Sequence, residues 1–178
     1  MKNINIDGLN FEILIPQKTI TKRIFEISQQ LKNKYQNDWP LFIIVLNGAV
    51  VFANQLLSFL GPSMKSISIK AHSYNGLKST GKISIENIPH NVIKSKSILI
   101  IEDIVDSGLT FDFLRNELLK NGALSVECVT LLFKKSNFKY NQQPKYIGFH
   151  IGKEFVVGYG MDYNQYGRDL ENIYKQVK

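Results

Sequence analysis

A chain of 178 residues with 44% hydrophobic residues, eleven Phe, eight Tyr and only five Pro has the apolar material for one sizeable core, which speaks against a disordered polypeptide. The single cysteine, Cys128, excludes an internal disulfide; no run approaches the roughly 18 apolar residues of a membrane span, and MKNINIDGLNFEILIP lacks the apolar stretch of a secretory signal, so a cytoplasmic location is expected. The net charge of +7 suits an anionic partner, but Lys22, Lys32, Lys34, Lys65 and Lys70 are scattered singly, so most belong to a solvated surface and no nucleic-acid face is expected.

Ile20, Ile24, Ile27 and Leu31 fall at spacings of three and four, which predicts an amphipathic helix over Thr19 to Tyr35 with Thr19 or Thr21 as its cap. Leu41 to Leu46, LFIIVL, is a short apolar run followed by Asn47-Gly48 and then by AVVFANQLLSFL, which stops at Gly61-Pro62; this reads as strand, turn and helix. From Met64 the period becomes two, with Ile67, Ile69 and Ala71 opposite Ser66, Ser68 and Lys70, as in a strand with one wet face. The polar stretch Tyr74 to Lys82, YNGLKSTGK, precedes the alternating ISIENI, so a mobile loop between two strands is expected. Its GLKSTGK has the glycine and lysine spacing of a P-loop, but Ile83 stands where Ser or Thr is required and a strand pattern follows where a helix must open.

Ser97 to Ile101, SILII, is a fully apolar strand that runs into acids and a glycine; Phe111, Leu114 and Leu118 then mark a helix ending at Asn121-Gly122, and Leu124 to Phe133 returns as a strand with Cys128 inside it. Repeated strand-helix-strand units predict an α/β fold, a mostly parallel sheet with helices on both faces and ligands at the carboxyl ends of the strands. In IIEDIVDSGLT, Glu102 and Asp103 sit where the strand ends, Asp106 follows, and Ser107-Gly108-Leu109-Thr110 opens the helix. Unpaired N–H groups and the positive dipole end of a helix start make a cradle for a phosphate. Three carboxylates beside that phosphate would repel it unless a ribose diol and a divalent cation stand between them, so the ligand is read as a phosphorylated sugar. His72, His90 and His150 fall at no ligand spacing.

This run resembles the phosphoribosyl pyrophosphate signature of type I phosphoribosyltransferases: four apolar residues, two acids, two apolar residues, Asp, a small residue and Gly, then Thr. Downstream, LLFKK with Lys134 and FVVGYGMDYNQYGRDL with Phe155, Val156, Asp162 and Arg168 look like the base- and pyrophosphate-binding segments of hypoxanthine-guanine phosphoribosyltransferases, and the resemblance spans Leu41 to Leu170. It implies one domain over 1–178, with a Rossmann-like core over about 19–135 and a small hood from the N-terminal and C-terminal segments. The implied reaction is transfer of 5-phosphoribosyl from phosphoribosyl pyrophosphate to hypoxanthine, with guanine as a second base, giving IMP or GMP and pyrophosphate.

In the family's roles, Asp106 takes the proton from N7 of the purine, and Glu102 and Asp103 hold the ribose hydroxyls. Asp106, Ser107, Gly108, Leu109 and Thr110 cradle the 5′-phosphate, and Asn47, Gly48 and Arg168 meet the pyrophosphate. Ile104, Lys134, Phe155, Val156 and Asp162 bound the purine, with Lys134 donating to its 6-oxo group and Phe155 stacking on the ring. The loop beginning Ser73-Tyr74 closes over the transition state. Glu102, Asp103 and Asp162 are the implied ligands of Mg²⁺, and a homodimer or homotetramer is implied. Asn47 departs from the family's usual Leu-Lys-Gly at that loop. A reading from another class, a phosphoribosyl pyrophosphate sensor that binds nucleic acid, is permitted by the pI of about 9.4 but finds no helix-turn-helix extension in the sequence.

Overall fold

In the computed structural model, which describes residues 3–36, 38–73, 83–86 and 90–177, the chain opens with an antiparallel hairpin of β1 (Ile4–Ile6) and β2 (Leu9–Ile15), with Ile6 opposite Leu9. Asp7 and Gly8 turn it at φ 47° and 84°, the left-handed pair of a two-residue hairpin, which Asp-Gly adopts at low cost. Helix α1 (Gln17–Tyr35) follows, and its stripe Ile20, Ile24, Ile27 and Leu31 is fully buried. Neither Thr19 nor Thr21 caps it: the helix starts before both, after Pro16, with no side-chain cap of its own. The orphan N–H of Gln17 is satisfied from the far end of the chain, donating to Asn172 Oδ1 at 2.8 Å.

Strand β3 (Leu41–Leu46), helix α2 (Val50–Leu60), strand β4 (Ser66–Ser73) and strand β5 (Ile83–Glu86) come in the expected order. The expected loop over Tyr74 to Lys82 lies outside the described residues; β5 beyond it is a strand antiparallel to β4, so GLKSTGK does not lead into a helix. After the single turn α3 (His90–Ile93), strand β6 (Ser97–Val105) does not stop at Ile101 but continues through both acids. Strand β7 (Ser125–Phe133) extends it, pairing Glu102 with Thr130 and Val105 with Phe133. Helix α4 (Leu109–Lys120) lies between them, and β8 (Tyr146–His150), β9 (Val156–Val157) and β10 (Ile173–Val177) complete the chain.

The main sheet has the order β5-β4-β3-β6-β7-β8, parallel except at β5. Leu41 to Leu46 of β3 and Ile98 to Ile101 of β6 are apolar at every position because both faces of the sheet are covered there. Phe42, Leu99, Ile101, Val129 and Leu131 turn to α1 and α2. Ile43, Val45, Ile98, Ile100, Val126 and Cys128 turn to Phe111, Leu114 and Leu118 of α4. The sheet reaches past residue 135 to β8, whose exposed edge is closed by Arg23 of α1 donating to Gly148 O at 2.9 Å and Ile147 O at 2.7 Å. A second, antiparallel sheet, β1-β2-β10-β9, joins the N-terminal and C-terminal segments around Phe11, Val157 and Tyr174.

From β3 the chain moves outward to β4 and returns on the other side of β3 to β6. The strand order therefore reverses between β3 and β6, and a crevice opens where their carboxyl ends part, which is where open α/β sheets bind ligands. The turn Asn47-Gly48 follows one of those ends and Glu102 to Asp106 form the other.

Candidate active site

Neighbouring residues on a strand point to opposite faces, and the two acids of β6 divide accordingly. Glu102 faces α4 and lines a cleft of about 100 Å³ with Ser107, Gly108, Leu109 and Thr110. Asp103 opens on the other side, into a cavity of about 260 Å³ with Ile104, Asp106, Lys134, Phe155, Val156, Met161 and Asp162. Burial, and then the charge of Asp103, pushes the Glu102 carboxyl well above the usual range. Burial also raises Asp103, to about 6, against the pull of the N–H groups of Ile104 and Asp103 itself and of the Arg168 charge, while Asp162 pushes it further up.

Between these spaces, the turn after β6 enters α4 through Gly108 at φ 86°. The position must be glycine twice over: the conformation is left-handed, and a Cβ would lie 2.3 Å from the ring of Phe138. Ser107 Oγ accepts the N–H of Leu109 at 3.3 Å, and a helix start leaves its other first-turn N–H groups without intrahelical partners, an anion-binding arrangement.

Asp106 is held at both oxygens. Lys134 Nζ donates to Oδ2 at 2.9 Å and Asn137 Nδ2 to Oδ1 at 2.9 Å. Partial burial pushes this carboxyl up, but the bonds from Asn137 and Lys134 and the lysine's charge outweigh it, so Asp106 sits below the usual aspartate value. Lys134 follows β7 directly, and its side chain is only 9% exposed.

The C-terminal segment closes the cavity. Phe155 is 42% exposed, so it is not a core aromatic; Tyr163 props its ring edge-on at 5.7 Å and Phe11 at 6.3 Å. Arg168 is tied down by Asp162 Oδ1 at 2.7 Å and by donating to Gly160 O at 2.9 Å. Gly160, at φ 99°, approaches the turn after β3 so closely that a Cβ there would lie 2.1 Å from Gly48 O. Gly48 in turn leaves room for Asp103, whose Oδ2 would be 1.8 Å from a Cβ at that position. The Leu46–Asn47 peptide is cis, and Asn47 is exposed.

The fold thus brings together Asp103, Ile104, Asp106, Lys134, Phe155, Val156 and Asp162, with Arg168 and Gly48 at the border and Glu102 one pleat away. Ser73 ends β4 at the same end of the sheet; Tyr74 lies outside the described residues. Sequence reasoning missed Asn137, Phe138, Gly160 and Met161. Met161 precedes Asp162 and was within reach of the same segment; Asn137 and Phe138 sit in the polar run KKSNFKYNQQP, where no spacing distinguishes them. Among the described residues no three His, Cys, Asp or Glu side chains converge to hold a metal, and no helix is long and apolar enough to cross a membrane.

The phosphoribosyl transferase domain model matches residues 12–164. The chain is 36% identical over 163 residues to the hypoxanthine-guanine phosphoribosyltransferase of Bacillus subtilis, covering 91% of each. It is 35% identical over 169 residues to the hypoxanthine phosphoribosyltransferase of Escherichia coli, covering 93% of this chain and 95% of the other. A hypoxanthine-guanine phosphoribosyltransferase crystal structure from Bacillus anthracis, with a HEPES molecule in its active site, superposes with a TM-score of 0.86 at 32% identity over 93% of this chain and 98% of the other. On its signature, its fold and its likeness over most of its length, the chain belongs to the phosphoribosyltransferase family, among the hypoxanthine-guanine phosphoribosyltransferases.

Proposed function

We propose that this chain salvages purines, transferring the 5-phosphoribosyl group of phosphoribosyl pyrophosphate to hypoxanthine and guanine with release of pyrophosphate. The observation that carries this reading is the Lys134–Asp106 pair, set beside a half-exposed aromatic ring at the carboxyl end of β6. An oxopurine offers those two side chains what each needs. Its 6-oxo oxygen accepts from the Lys134 ammonium, and its N7 hydrogen meets the Asp106 carboxylate.

In the free site Lys134 keeps Asp106 a weak base. A 6-oxo group that draws the ammonium away removes one of the bonds holding the carboxyl down, so Asp106 becomes a better proton acceptor when the correct base is bound, a role worth about 10²–10⁴ in rate. Adenine would present an amino group to the ammonium and leave donors unpaired, a mismatch that discriminates by up to about 10⁴. Phe155 stacks on the base, and Ile104 and Val156 bound it.

On the other side of the turn, Ser107 to Thr110 receive the 5′-phosphate and Glu102 the ribose hydroxyls. The Asn47-Gly48 turn and Arg168 face the pyrophosphate; since Asn47 brings no charge, Arg168 carries the cationic share of that contact among the residues placed there. Asp103 and Asp162 offer oxygen donors across one cavity, and among the described residues no third His, Cys, Asp or Glu converges on them. That set fits Mg²⁺, which takes one or two carboxylates and completes its shell with substrate oxygens and water; Glu102 adds a third carboxylate near the ribose. When bound, Mg²⁺ supplies positive charge against the diphosphate. The loop beginning Ser73-Tyr74 excludes water during transfer. The chain acts as one catalytic domain, in a homodimer or homotetramer in the cytoplasm, without nucleic acid.

Pyrophosphate release is to be measured with phosphoribosyl pyrophosphate, Mg²⁺ and each of hypoxanthine, guanine, xanthine and adenine. Turnover is expected with hypoxanthine and guanine and not with adenine; silence with every base would sink the proposal.

A further inference from the structure

The connection between β7 and β8 is laid across the signature turn and fastened to it. The N–H of Lys139 donates to Ser107 O at 3.1 Å. The ring of Phe138 fills the space beside Gly108, with Tyr140 next to it, and stands edge-on to Phe133 of the core at 5.2 Å. From this strap Asn137 reaches Asp106 Oδ1 at 2.9 Å, while Lys134 holds Oδ2 at 2.9 Å.

The two donors differ in what a bound base does to them. Lys134 is the one that a 6-oxo group competes for. Asn137 does not line the cavity that takes the base, so a base in that cavity does not compete for it. The torsion that turns a carboxylate about its own axis is soft, so Asp106, half in water, loses its orientation once the lysine turns away unless something holds the second oxygen.

We propose that Asn137 is a positioning residue for the transfer: its hydrogen bond to Oδ1 keeps Oδ2 of Asp106 aimed at purine N7 after Lys134 has moved to the 6-oxo group. The inference rests on Asp106 being the general base. Correct aim of a catalytic group is a large part of what an active site contributes. The lowered proton affinity of Asp106, to which the Asn137 bond contributes, is in keeping with a bond made to the charged form.

The test is steady-state kinetics with phosphoribosyl pyrophosphate, Mg²⁺ and hypoxanthine on the full chain and on Asn137→Ala, Asn137→Asp and Asn137→Gln. For Asn137→Ala kcat is expected to fall about three- to tenfold, the effect of one net hydrogen bond on a barrier. Asn137→Asp should fall further, since it keeps the shape of the side chain but turns a donor into a repelling oxygen, and Asn137→Gln should recover part of the loss. Both KM values should stay within about twofold of the parent's. The proposal is overturned if kcat of the Ala and Asp variants stays within about twofold of the parent's. It is equally overturned if the loss appears in KM for phosphoribosyl pyrophosphate, the mark of a strap merely loosened from Ser107 and Gly108. Should the Ala variant lose its fold by circular dichroism, the isosteric Asp variant decides. A parent protein without turnover fails the functional reading instead, and a fully active Asp106→Asn fails the base role, so the three failures are distinguishable.

Discussion

Lys134→Met and Asp106→Ala each delete one partner of the same 2.9 Å ion pair, yet their costs are expected to be unequal. The asymmetry lies in exposure: the Asp106 side chain is 48% exposed, the Lys134 side chain 9%. Without Lys134, the carboxylate remains half in water and still bonded to Asn137, so leaving it without the lysine costs about 0–1 kcal/mol. Without Asp106, the ammonium is left in a nearly closed pocket with its charge-assisted hydrogen bond gone, which costs about 1.5–3 kcal/mol. Methionine also retains most of the apolar stem of the lysine, so little packing is lost. Urea unfolding of both variants at neutral pH, with the slope checked to be unchanged, reads the difference directly. Asp106→Ala should come out less stable than Lys134→Met by about 1 kcal/mol or more. Equal losses, or the reverse order, would refute the reasoning that burial of the lysine sets the cost. In the same preparations Lys134→Met should lose its preference for hypoxanthine over adenine.

Burial raises Asp103 to about 6, above the ~3.9 of an unfolded aspartate, so its neutral form is favoured in the fold; that contribution to stability is complete below about pH 4 and lost as pH rises through about 6. Asp103→Asn in Mg²⁺-free buffer is therefore expected to stabilise by about 1–3 kcal/mol at about pH 8 and to do little near pH 4, and a gain independent of pH would remove burial as its cause. Gly160→Ala places a Cβ 2.1 Å from Gly48 O at φ 99°; beyond about 1–2 kcal/mol of backbone strain, it should push the Asn47-Gly48 turn and raise KM for phosphoribosyl pyrophosphate, and an unchanged KM would detach that turn from substrate binding. Phe155→Leu removes a ring already half in solvent, so thermal stability should change little while KM for hypoxanthine rises about tenfold or more; a normal KM with a lowered melting temperature would make Phe155 a packing residue.

The central elements were legible in the sequence because their environments are simple. LFIIVL and Ile98 to Ile101 are enclosed by the sheet's two covered faces, so they carry no polar position to confuse the pattern, and the stripe Ile20, Ile24, Ile27, Leu31 has a single side to cover. The hood hairpin was overlooked although Asp7-Gly8 announces it. Strands β8, β9 and β10 carry no such announcement: β9 is two residues long and is a strand only because Lys175 and Tyr174 lie opposite it. The cap of α1 could not be read locally either, because its acceptor, Asn172, is supplied from beside β10.

By itself the sequence determined the kind of ligand: three acids, a glycine turn and a helix start within eleven residues are a local chemical grammar, since phosphate binding at a helix N-terminus needs only consecutive residues. Lys134, Phe155, Asp162 and Arg168 were nameable because each lies in a short segment resembling a known family. Tertiary structure decided how they work together. The pleat of β6 sends Glu102 and Asp103 into different spaces, which adjacency in sequence hides. The pairing of β6 with β7 brings Lys134 beside Asp106, making the expected base and the expected base-recognition residue one ion pair. Asn137 joins them only because an otherwise featureless loop is folded back over Gly108, and a bond of that kind depends on contacts distant in the chain, which no local spacing records.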